Sequence, residues 1–451
     1  MTITELLKSL KSEDLGEQMH NLIRDAYPIC RSITGNGFRQ TLDIVEKHIP
    51  LSRHEVPTGT QVFDWTIPKE WNIKDAYIKN SKGEKIVDFH KMNLHVLNYS
   101  VPFHGRLRLP DLKQHLFSIP EHPEWVPYRT SYYKENWGFC ISHNMMESLV
   151  DDEYEVCIDS TLERGHLTYG EYYIQGQSVE EVLISCHSCH PSLCNDNLSG
   201  ISLATFLAKL LTPLSLRYSY RFLFIPGAIG SITWLARNEE NISLIKHGLV
   251  VACVGDPGPM NYKKSRGGQS EIDRVVVQAL RDSGRCFTVK EFSPYGYDER
   301  QYCSPGFNLS VGSLTRTPHG QFPQYHTSAD NLEFVRAESL GESLATYLAV
   351  LRVLEGNHAY LSQNPKCEPQ LGKRGLYSAL GGRTSSPTNE FALLWVLNMS
   401  DGSHSLLDIA EKSGLKFGVL QNAAELLVDH KLLQRVSAPL EHRMGHQSTS
   451  V

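Results

Sequence analysis

The chain has 451 residues, of which 41% are apolar and 21% charged, so it can bury a full-sized core and should form two or three domains. Its net charge is −6 and its basic residues form no long run, which argues against a nucleic-acid partner. No apolar stretch reaches the length of a membrane span and no secretory signal is recognisable, so we expect a cytoplasmic protein.

The first third of the chain changes character twice. Residues 1–50 are predicted to be helical, with Leu42, Val45 and Ile49 at helical spacing. Residues 55–165 contain short β-like runs that many prolines interrupt, which indicates a compact β-rich module.

From about residue 179 onward, strands alternate with helices. The runs EVLISC (181–186), YRFLFIP (220–226) and GLVVACVG (248–255) are continuous apolar strands, and an amphipathic helix follows each of them. This pattern predicts an α/β domain with a mostly parallel, buried sheet. In such sheets ligands bind beyond the carboxyl ends of the strands.

Histidines and acids stand at those strand ends. His187 and His190 follow the first run, Asp196 precedes the next helix, and Asp256 follows the third run, while His326 comes later in the segment PQYHTSADNLEF. Imidazole and carboxylate are the ligands of catalytic zinc sites, so these five residues are our candidate metal ligands. His190 stands before a proline and has an alternative interpretation as a turn residue.

The two cysteines Cys186 and Cys189 raise the alternative of a structural zinc knuckle. No second Cys-x-x-Cys or His-x-x-x-His follows at a suitable distance, which weakens that alternative. The ten cysteines of the chain are better explained as reduced thiols than as a disulfide framework.

Four stretches of the sequence resemble one family in order and in spacing: CHPSLCNDNLSG (189–200), CVGD (253–256), YGYDERQYCSPGFNL (295–309) and YHTSAD (325–330). They look like the bacterial aminopeptidase-like proteins. The resemblance implies a three-layer α/β/α zinc-exopeptidase domain made of residues 1–54 and 166–360, with residues 55–165 inserted. It also implies a role in surface-polysaccharide or secondary-metabolite pathways.

The resemblance also implies roles for the candidate ligands. His187 would bind one metal ion, Asp196 would bridge two ions or bind one, Asp256 would complete the first metal's shell, and His326 would hold a second metal or the open side of a single one. Zinc held in this way acidifies a bound water and polarises an amide carbonyl.

Two positions depart from the family pattern. A glutamate that takes the proton from the metal-bound water is expected in IPGAIGS (225–231), where this chain has Gly227 and Ala228. Gln324 stands where relatives are expected to have an acid, and it is a candidate substrate-binding residue. Loss of a general base typically costs a factor of about a hundred to ten thousand in rate.

Other side chains are candidates to replace the missing glutamate or to bind the substrate. Asp298 and Glu299 are candidate catalytic residues, as a base or as the site for a substrate amine, although Glu299 with Arg300 has a plain interpretation as a solvated ion pair. Arg266 and Arg300 are candidates to clamp a substrate carboxylate.

The C-terminal residues 375–440 have the helix order of a winged helix-turn-helix, with the turn DGSHS at 401–405. Its third helix carries Glu425 and Asp429 between Lys416 and Lys431, which favours packing or oligomerisation over DNA binding.

The sequence therefore predicts a zinc-dependent hydrolase of aminopeptidase type, acting on an amide or acyl bond of a small amino-containing or peptide-like substrate. The alternative is a repurposed site that performs transfer or cyclisation, or a binding protein without peptidase activity. A homo-oligomer is compatible with the accessory domain, and no membrane partner is expected.

Overall fold

The computed structural model describes residues 2–376 and 387–436. They form two compact units, one drawn from the residues up to 273 together with 286–348, the other from 274–285 together with the described residues from 349 onward. The strands are β1 (Ser52–Pro57), β2 (Gln61–Val62), β3 (Trp65–Thr66), β4 (Glu70–Lys79), β5 (Lys85–Asp88), β6 (Phe103–Arg108), β7 (Leu116–Phe117), β8 (Phe139–Cys140), β9 (Glu153–Glu163), β10 (His166–Ile174), β11 (Glu181–His187), β12 (Ser219–Ile225), β13 (Ile245–Val251), β14 (Met260–Lys263), β15 (Phe287–Lys290), β16 (Val311–Thr315), β17 (Ala359–Ser362), β18 (Asp401–Ser405) and β19 (Leu433–Val436). The helices are α1 (Ile3–Ser9), α2 (Ser12–Ala26), α3 (Asn36–Glu46), α4 (Leu109–Leu112), α5 (His143–Ser148), α6 (Ser199–Leu211), α7 (Ile229–Arg237), α8 (Glu271–Ser283), α9 (Glu299–Tyr302), α10 (Ala337–Gly356), α11 (Pro387–Met399), α12 (Leu406–Ser413) and α13 (Phe417–Asp429).

An eight-stranded sheet forms the centre of the first unit, in the order β1-β10-β12-β11-β13-β16-β14-β15. The four inner strands β12, β11, β13 and β16 run parallel, whereas β10 is antiparallel to both of its neighbours and β14 is antiparallel to β16. Every residue of β11 is buried, which explains its continuous apolar sequence. The predicted α/β fold with a mostly parallel sheet is confirmed.

The inner strands end at one edge of this sheet, and helix α6 begins there. α6 packs against β11, β12 and β13, and it is buried along nearly its whole length. Ser202 of α6 donates a hydrogen bond to the carbonyl of Met19 in α2 at 2.9 Å, which joins the N-terminal helices to this layer. The carboxyl end of β11 is thereby held between a buried sheet and a buried helix.

Residues 55–165 carry a second sheet, of four antiparallel strands in the order β5-β4-β9-β6. Trp71 of β4 is buried, and its indole N–H donates to the carbonyl of Ser100 at 2.8 Å. The prolines and tryptophans of this region therefore belong to a folded β-rich part of the first unit.

The second unit contains a small winged-helix domain. Helices α11, α12 and α13 accompany a three-stranded sheet in the order β18-β17-β19. The segment DGSHS, predicted as a turn, is strand β18, because it pairs with β17 (Ala359–Ser362). That partner lies before residue 375, where the predicted domain begins, so the local sequence gives no sign of the pairing. The predicted domain, residues 375–440, also extends beyond residue 436 and includes 377–386, and those parts lie outside the described residues.

In the part of the chain that the structure describes, no helix combines the length and the apolar character that crossing a bilayer requires.

Candidate metal centre

One buried carboxylate stands between two histidines that are far apart in the sequence. The Nε2 atom of His187 lies 2.8 Å from Oδ1 of Asp196, and Nε2 of His326 lies 3.0 Å from Oδ2 of the same residue. His187 is the last residue of β11, and Asp196 lies just before α6. The two oxygens of Asp196 thus each face a different imidazole.

His190 completes this group. Nitrogen or oxygen atoms of His187, His190 and Asp196 all lie within 4.8 Å of one another. The ring of His190 is 4.9 Å from that of His187 and 5.1 Å from that of His326, measured between centroids. Of the two interpretations of His190, the geometry favours the ligand over the turn residue.

The electrostatics of this group follow from its burial. Burial lowers the pKa of His190 to about 3, which leaves the ring neutral, the form that binds metals. For Asp196, burial raises the pKa, but the neighbouring histidines outweigh it and hold the pKa well below the ordinary value. Burial lowers the pKa of His187, but the nearby carboxylate of Asp196 outweighs burial, so the pKa of His187 is raised above its ordinary value.

The main chain around Asp196 is held by a second buried acid, Asp330. Its two carboxylate oxygens accept the backbone N–H groups of Asn195 at 2.6 Å and of Asp196 at 3.0 Å. Burial raises the pKa of Asp330 to about 8, against the effect of these two donors, which lower it. Asp330 is a positioning residue that the sequence places four residues after His326.

Asn197 ties the same loop to the sheet. Its side-chain amide donates to the carbonyls of His187 at 3.1 Å and of Val251 at 3.0 Å, at the ends of β11 and β13. Its Oδ1 accepts the N–H of Gly200 at 3.1 Å, in the first turn of α6. Two strand ends and one helix start are therefore fixed by a single buried side chain.

Asp256 does not join the metal group in the described residues. Its carboxylate accepts four hydrogen bonds, from Gly258 N, Asn195 Nδ2, and the N–H and hydroxyl of Thr317, at 2.5 to 3.1 Å. The prediction that Asp256 completes the shell of one metal is replaced by a positioning role, because its oxygens are already occupied by protein donors.

The β-rich region supplies part of the wall of the site. The backbone N–H of Tyr128 donates to the carbonyl of His326 at 2.7 Å, and its ring lies 5.1 Å from the rings of both His190 and His326. Its hydroxyl is 2.8 Å from that of Tyr132. Nothing local marks Tyr128 in the sequence, since it reaches the site from a segment about two hundred residues before His326.

Two further tyrosines stack on the histidines. The ring of Tyr325 lies 3.9 Å from that of His326, and the ring of Tyr297 lies 5.1 Å from that of His187, nearly parallel in both cases. These contacts limit the rotation of both imidazoles.

A buried arginine holds the carbonyl of the third histidine. Arg31 is fully buried, and its Nη1 donates to the carbonyl of His190 at 3.0 Å. Its other donors go to the Thr41 hydroxyl at 2.9 Å and to the carbonyl of Ala26. Burial lowers the pKa of Arg31 to about 10.

Gly227 faces the metal group, as the family pattern requires of the missing glutamate. A Cβ at this position would lie 3.6 Å from Cβ of His187 and 3.5 Å from Sγ of Cys189, both ordinary contact distances. The next residue, Ala228, donates its N–H to Oδ1 of Asp298 at 2.8 Å. A side chain beginning at residue 227 would therefore start beside His187.

Asp298 itself is buried beside this position. Its Oδ1 also accepts the hydroxyl of Ser231 at 2.8 Å, and its Oδ2 has no hydrogen-bond partner among the described residues. Burial raises the pKa of Asp298, against the charge of His187, which lowers it.

The other predicted site residues lie elsewhere. Glu299 is fully buried and paired with Lys263, so its interpretation as a solvated pair with Arg300 is wrong. Arg300 is exposed, and Arg266 is exposed and donates to Asn308 at 3.0 Å. Gln324 is half-buried and contributes its carbonyl to the turn at Thr327. The structure gives no support to an arginine clamp.

The cysteine knuckle is not formed. Cys189 Sγ accepts the N–H of Gly227 at 3.2 Å, and Cys186 is a buried strand residue. Within the described ranges, one group brings at least three potential metal ligands within 4.8 Å of one another. It contains two histidines and an aspartate and no thiol. Imidazole nitrogens and a buried, ionised carboxylate are a donor set that fits zinc, so these residues fit a metal ion.

The fold places the chain among proteins with an aminopeptidase-like architecture. The solved structure of BSAP, a zinc aminopeptidase from Bacillus subtilis, superposes with a TM-score of 0.56 at 13% identity, covering 75% of this chain and 94% of that one. A peptidase M28 precursor from Shewanella amazonensis gives 0.53 at 13% identity, covering 78% of this chain and 97% of that one.

Sequence comparison then gives the family. Residues 20–357 match the domain of unknown function DUF4910, and residues 358–435 match a winged helix-turn-helix, so the chain belongs to the DUF4910 family. It is 57% identical over 425 residues to a Clostridium acetobutylicum protein named as a candidate polysaccharide biosynthesis protein with an aminopeptidase-like domain; the match covers 94% of this chain and 98% of that one. A crystal structure of a candidate peptidase from the same species is 55% identical with a TM-score of 0.92, covering 96% of this chain and all of that one. The resemblance to aminopeptidase-like proteins with a C-terminal winged helix is confirmed.

Proposed function

We propose that this protein is a zinc-dependent hydrolase of aminopeptidase type that cleaves an amide or related acyl bond of a small amino-containing substrate. The polysaccharide biosynthesis named for the Clostridium acetobutylicum relative supports a place for that reaction in a biosynthetic pathway. The peptidase named for the solved relative supports the hydrolytic class.

The observation that carries the proposal is the position of Asp196 between His187 and His326. A carboxylate whose two oxygens each face an imidazole, at 2.8 and 3.0 Å, would hold a divalent cation together with those imidazoles. His190 adds a neutral ligand on the same side. We therefore assign His187, His190, Asp196 and His326 to the metal.

Zinc bound there would supply a water of lowered pKa and would polarise the scissile carbonyl. The chain itself must hold the proton that the water loses. Asp298 suits this task, because it is buried next to Gly227, its Oδ2 is free among the described residues, and burial raises its pKa, which makes the carboxylate a stronger base. It can return the proton to the leaving amine.

Metal analysis together with turnover of a panel of aminoacyl amides tests the proposal. We expect about stoichiometric zinc in the purified protein and turnover that a chelator abolishes and added zinc restores. Purified protein that neither contains zinc nor takes it up would contradict the metal assignment and leave a binding role.

Gly227 supports a second candidate function. Without a glutamate at this position, a metal-loaded site can perform transfer or cyclisation in place of hydrolysis, since those reactions do not need an activated water. Stoichiometric zinc with no turnover of any amide in the panel would favour this second function.

A further inference from the structure

A cavity of about 330 Å³ lies in the β-rich region of the first unit, where the end of strand β3 and residues 133–135 line it. The buried Tyr99 also forms part of its lining. Tyr133 is 51% exposed, and its neighbours Lys134 and Glu135 are exposed as well. A ligand can therefore reach these three side chains directly from solvent.

Trp65, which precedes the lining residue Thr66 in β3, extends the aromatic surface of the cavity. It is 43% exposed, and its ring lies 5.4 Å from that of Tyr133 in an edge-to-face arrangement. Removing such rings from water is favourable, so adjacent exposed aromatic side chains mark a place where another molecule can bind.

The main chain holds two rings of the cavity in an unusual conformation. Tyr133 has a φ of 64° and Tyr99 a φ of 75°, both in the left-handed region. Bulky side chains are rare there, because Cβ crowds the neighbouring carbonyl oxygen, and such strain persists mainly where function needs the resulting side-chain position. The hydroxyl of Tyr99 donates to the carbonyl of Lys69, which fixes that ring further. The aromatic wall is therefore formed before any ligand binds.

Polar groups with no protein partner surround the two exposed rings. Among the described residues, neither the indole N–H of Trp65 nor the hydroxyl of Tyr133 has a hydrogen-bond partner, and the ammonium group of Lys134 has no ion pair. Oε1 of Glu135 accepts a hydrogen bond from Lys69 at 2.7 Å, while its Oε2 stays open to a donor within the same ranges. The site thus combines apolar ring faces with both donors and acceptors.

We propose that this cavity binds a saccharide, with a pyranose ring packed against Tyr133 and Trp65. A pyranose has the matching chemistry, because its C–H groups form apolar faces while the hydroxyls at its edge both donate and accept. These hydroxyls hydrogen-bond to Glu135 and Lys134. A hydrocarbon ligand of the same size would cover the rings but leave the polar groups around them without partners.

The cavity lies apart from the metal ligands. The ring of Tyr132 is 6.4 Å from that of Tyr133, and its hydroxyl is 2.8 Å from that of Tyr128. Tyr128 in turn lies against His190 and His326. Along this path two tyrosines separate the cavity from the metal group, so saccharide binding should need no metal ion. It goes beyond the proposed function and does not depend on it.

Cellotriose and triacetylchitotriose are suitable probes, because all of their ring substituents are equatorial and their C–H faces are therefore flat. We expect calorimetry on the full-length protein to give a dissociation constant at or below about 1 mM for at least one of them. The value should be the same after treatment with a chelator.

Substitution of Trp65 by alanine should weaken this binding at least about tenfold, whereas Trp65→Phe keeps a ring face and should lose less. Tyr295→Ala is the matched control, because Tyr295 is an aromatic residue that is 75% exposed and does not line this cavity. It should keep the wild-type dissociation constant within about twofold.

The outcomes separate this site from the metal group. Absence of binding of both saccharides by the wild-type protein at about 10 mM overturns the proposal, and this result does not depend on whether a variant folds. Unchanged binding in both Trp65→Ala and Tyr133→Ala overturns the location, and loss of binding after chelation overturns the separation from the metal. Tighter binding of a decaproline peptide than of either saccharide overturns the ligand class. Saccharide binding by a protein that takes up no zinc supports this site and overturns the proposed function.

Discussion

Asp330 holds the main chain of Asp196, with its Oδ2 accepting the backbone N–H of Asp196 at 3.0 Å. One buried acid thereby fixes the position of the other, and the two have different tasks. Asp196 faces the histidines with its side chain, whereas the carboxylate of Asp330 accepts hydrogen bonds from the main chain of the loop.

Substitution of Asp196 by asparagine should abolish metal binding. An amide carries no charge and has one acceptor oxygen, so it cannot serve His187 and His326 together. We expect the metal content, measured by mass spectrometry after dialysis, to fall below about a tenth of the wild-type value. Glu135→Gln, at an exposed residue that pairs with Lys69, is the control and should bind metal normally. Full metal content in the Asp196→Asn protein would contradict the assignment.

Substitution of Asp298 by asparagine should lower the turnover number by a factor of about a hundred to ten thousand, because the group that takes the proton is removed while its hydrogen bond from Ala228 can persist. The zinc content should stay unchanged, which distinguishes a base from a ligand. Steady-state kinetics with the best amide of the panel provide the measurement, and an unaltered rate would mean that another group accepts the proton.

Substitution of Gly227 by glutamate should increase amide hydrolysis. The contact distances of 3.5 and 3.6 Å at the Cβ position allow the side chain to start toward the metal group. We expect a gain of at least about tenfold in turnover number, the lower part of what a general base contributes. Gly227→Gln has the same size without the basic oxygen and should show no gain. Equal rates for both variants would indicate an effect of shape alone.

Substitution of Arg31 by methionine should destabilise the first unit by about 2 to 4 kcal/mol, because three buried acceptors lose their donors. Arg31→Lys should recover only part of this loss, since an ammonium group cannot reach the same three acceptors. Urea unfolding measures both values. The exposed Arg24 provides the control, and Arg24→Met should change the free energy of unfolding by less than about 0.5 kcal/mol.

The pKa of Asp330 predicts a pH dependence of stability in the metal-free protein. Its pKa is about 8 in the folded state and about 3.9 in the unfolded chain. Between about pH 4 and pH 8 the folded state therefore keeps a proton on Asp330 that the unfolded chain has lost. Asp330 therefore contributes stability that is fully present below about pH 4 and is lost as the pH rises through about 8. The free energy of unfolding of the wild type relative to Asp330→Asn should fall across this window. A difference that grows with pH would show that the folded state keeps Asp330 ionised.

Much of the fold follows from local patterns. The continuous apolar run of β11 predicts a buried parallel strand, and the polar residues after it predict a site at its carboxyl end, which is where His187 lies. The same rule names Asp256, yet the structure gives its oxygens to Thr317, Asn195 and Gly258. A residue's position at a strand end does not predict whether its carboxylate faces a ligand site or accepts hydrogen bonds from the protein.

Residues that reach the site from distant segments could not be predicted. Lys263 ends strand β14, which pairs antiparallel with β16, so no strand-end rule places it beside Glu299. Tyr128 comes from the β-rich region, whose own pattern gives no sign of the contact with His326. Each contact depends on how separate segments pack, and a single sequence carries no record of that.

The hydrogen bond from Tyr128 to the carbonyl of His326 has a consequence for attempts to reduce this protein to a smaller catalyst. Cutting out the intervening β-rich stretch and rejoining the ends would leave the eight-stranded sheet intact, yet the histidine nearest the opening would lose the neighbour that anchors its backbone. Shortened versions should therefore fold but retain their cation weakly. A functional shortened protein would need a new hydrogen-bond donor for the carbonyl of His326.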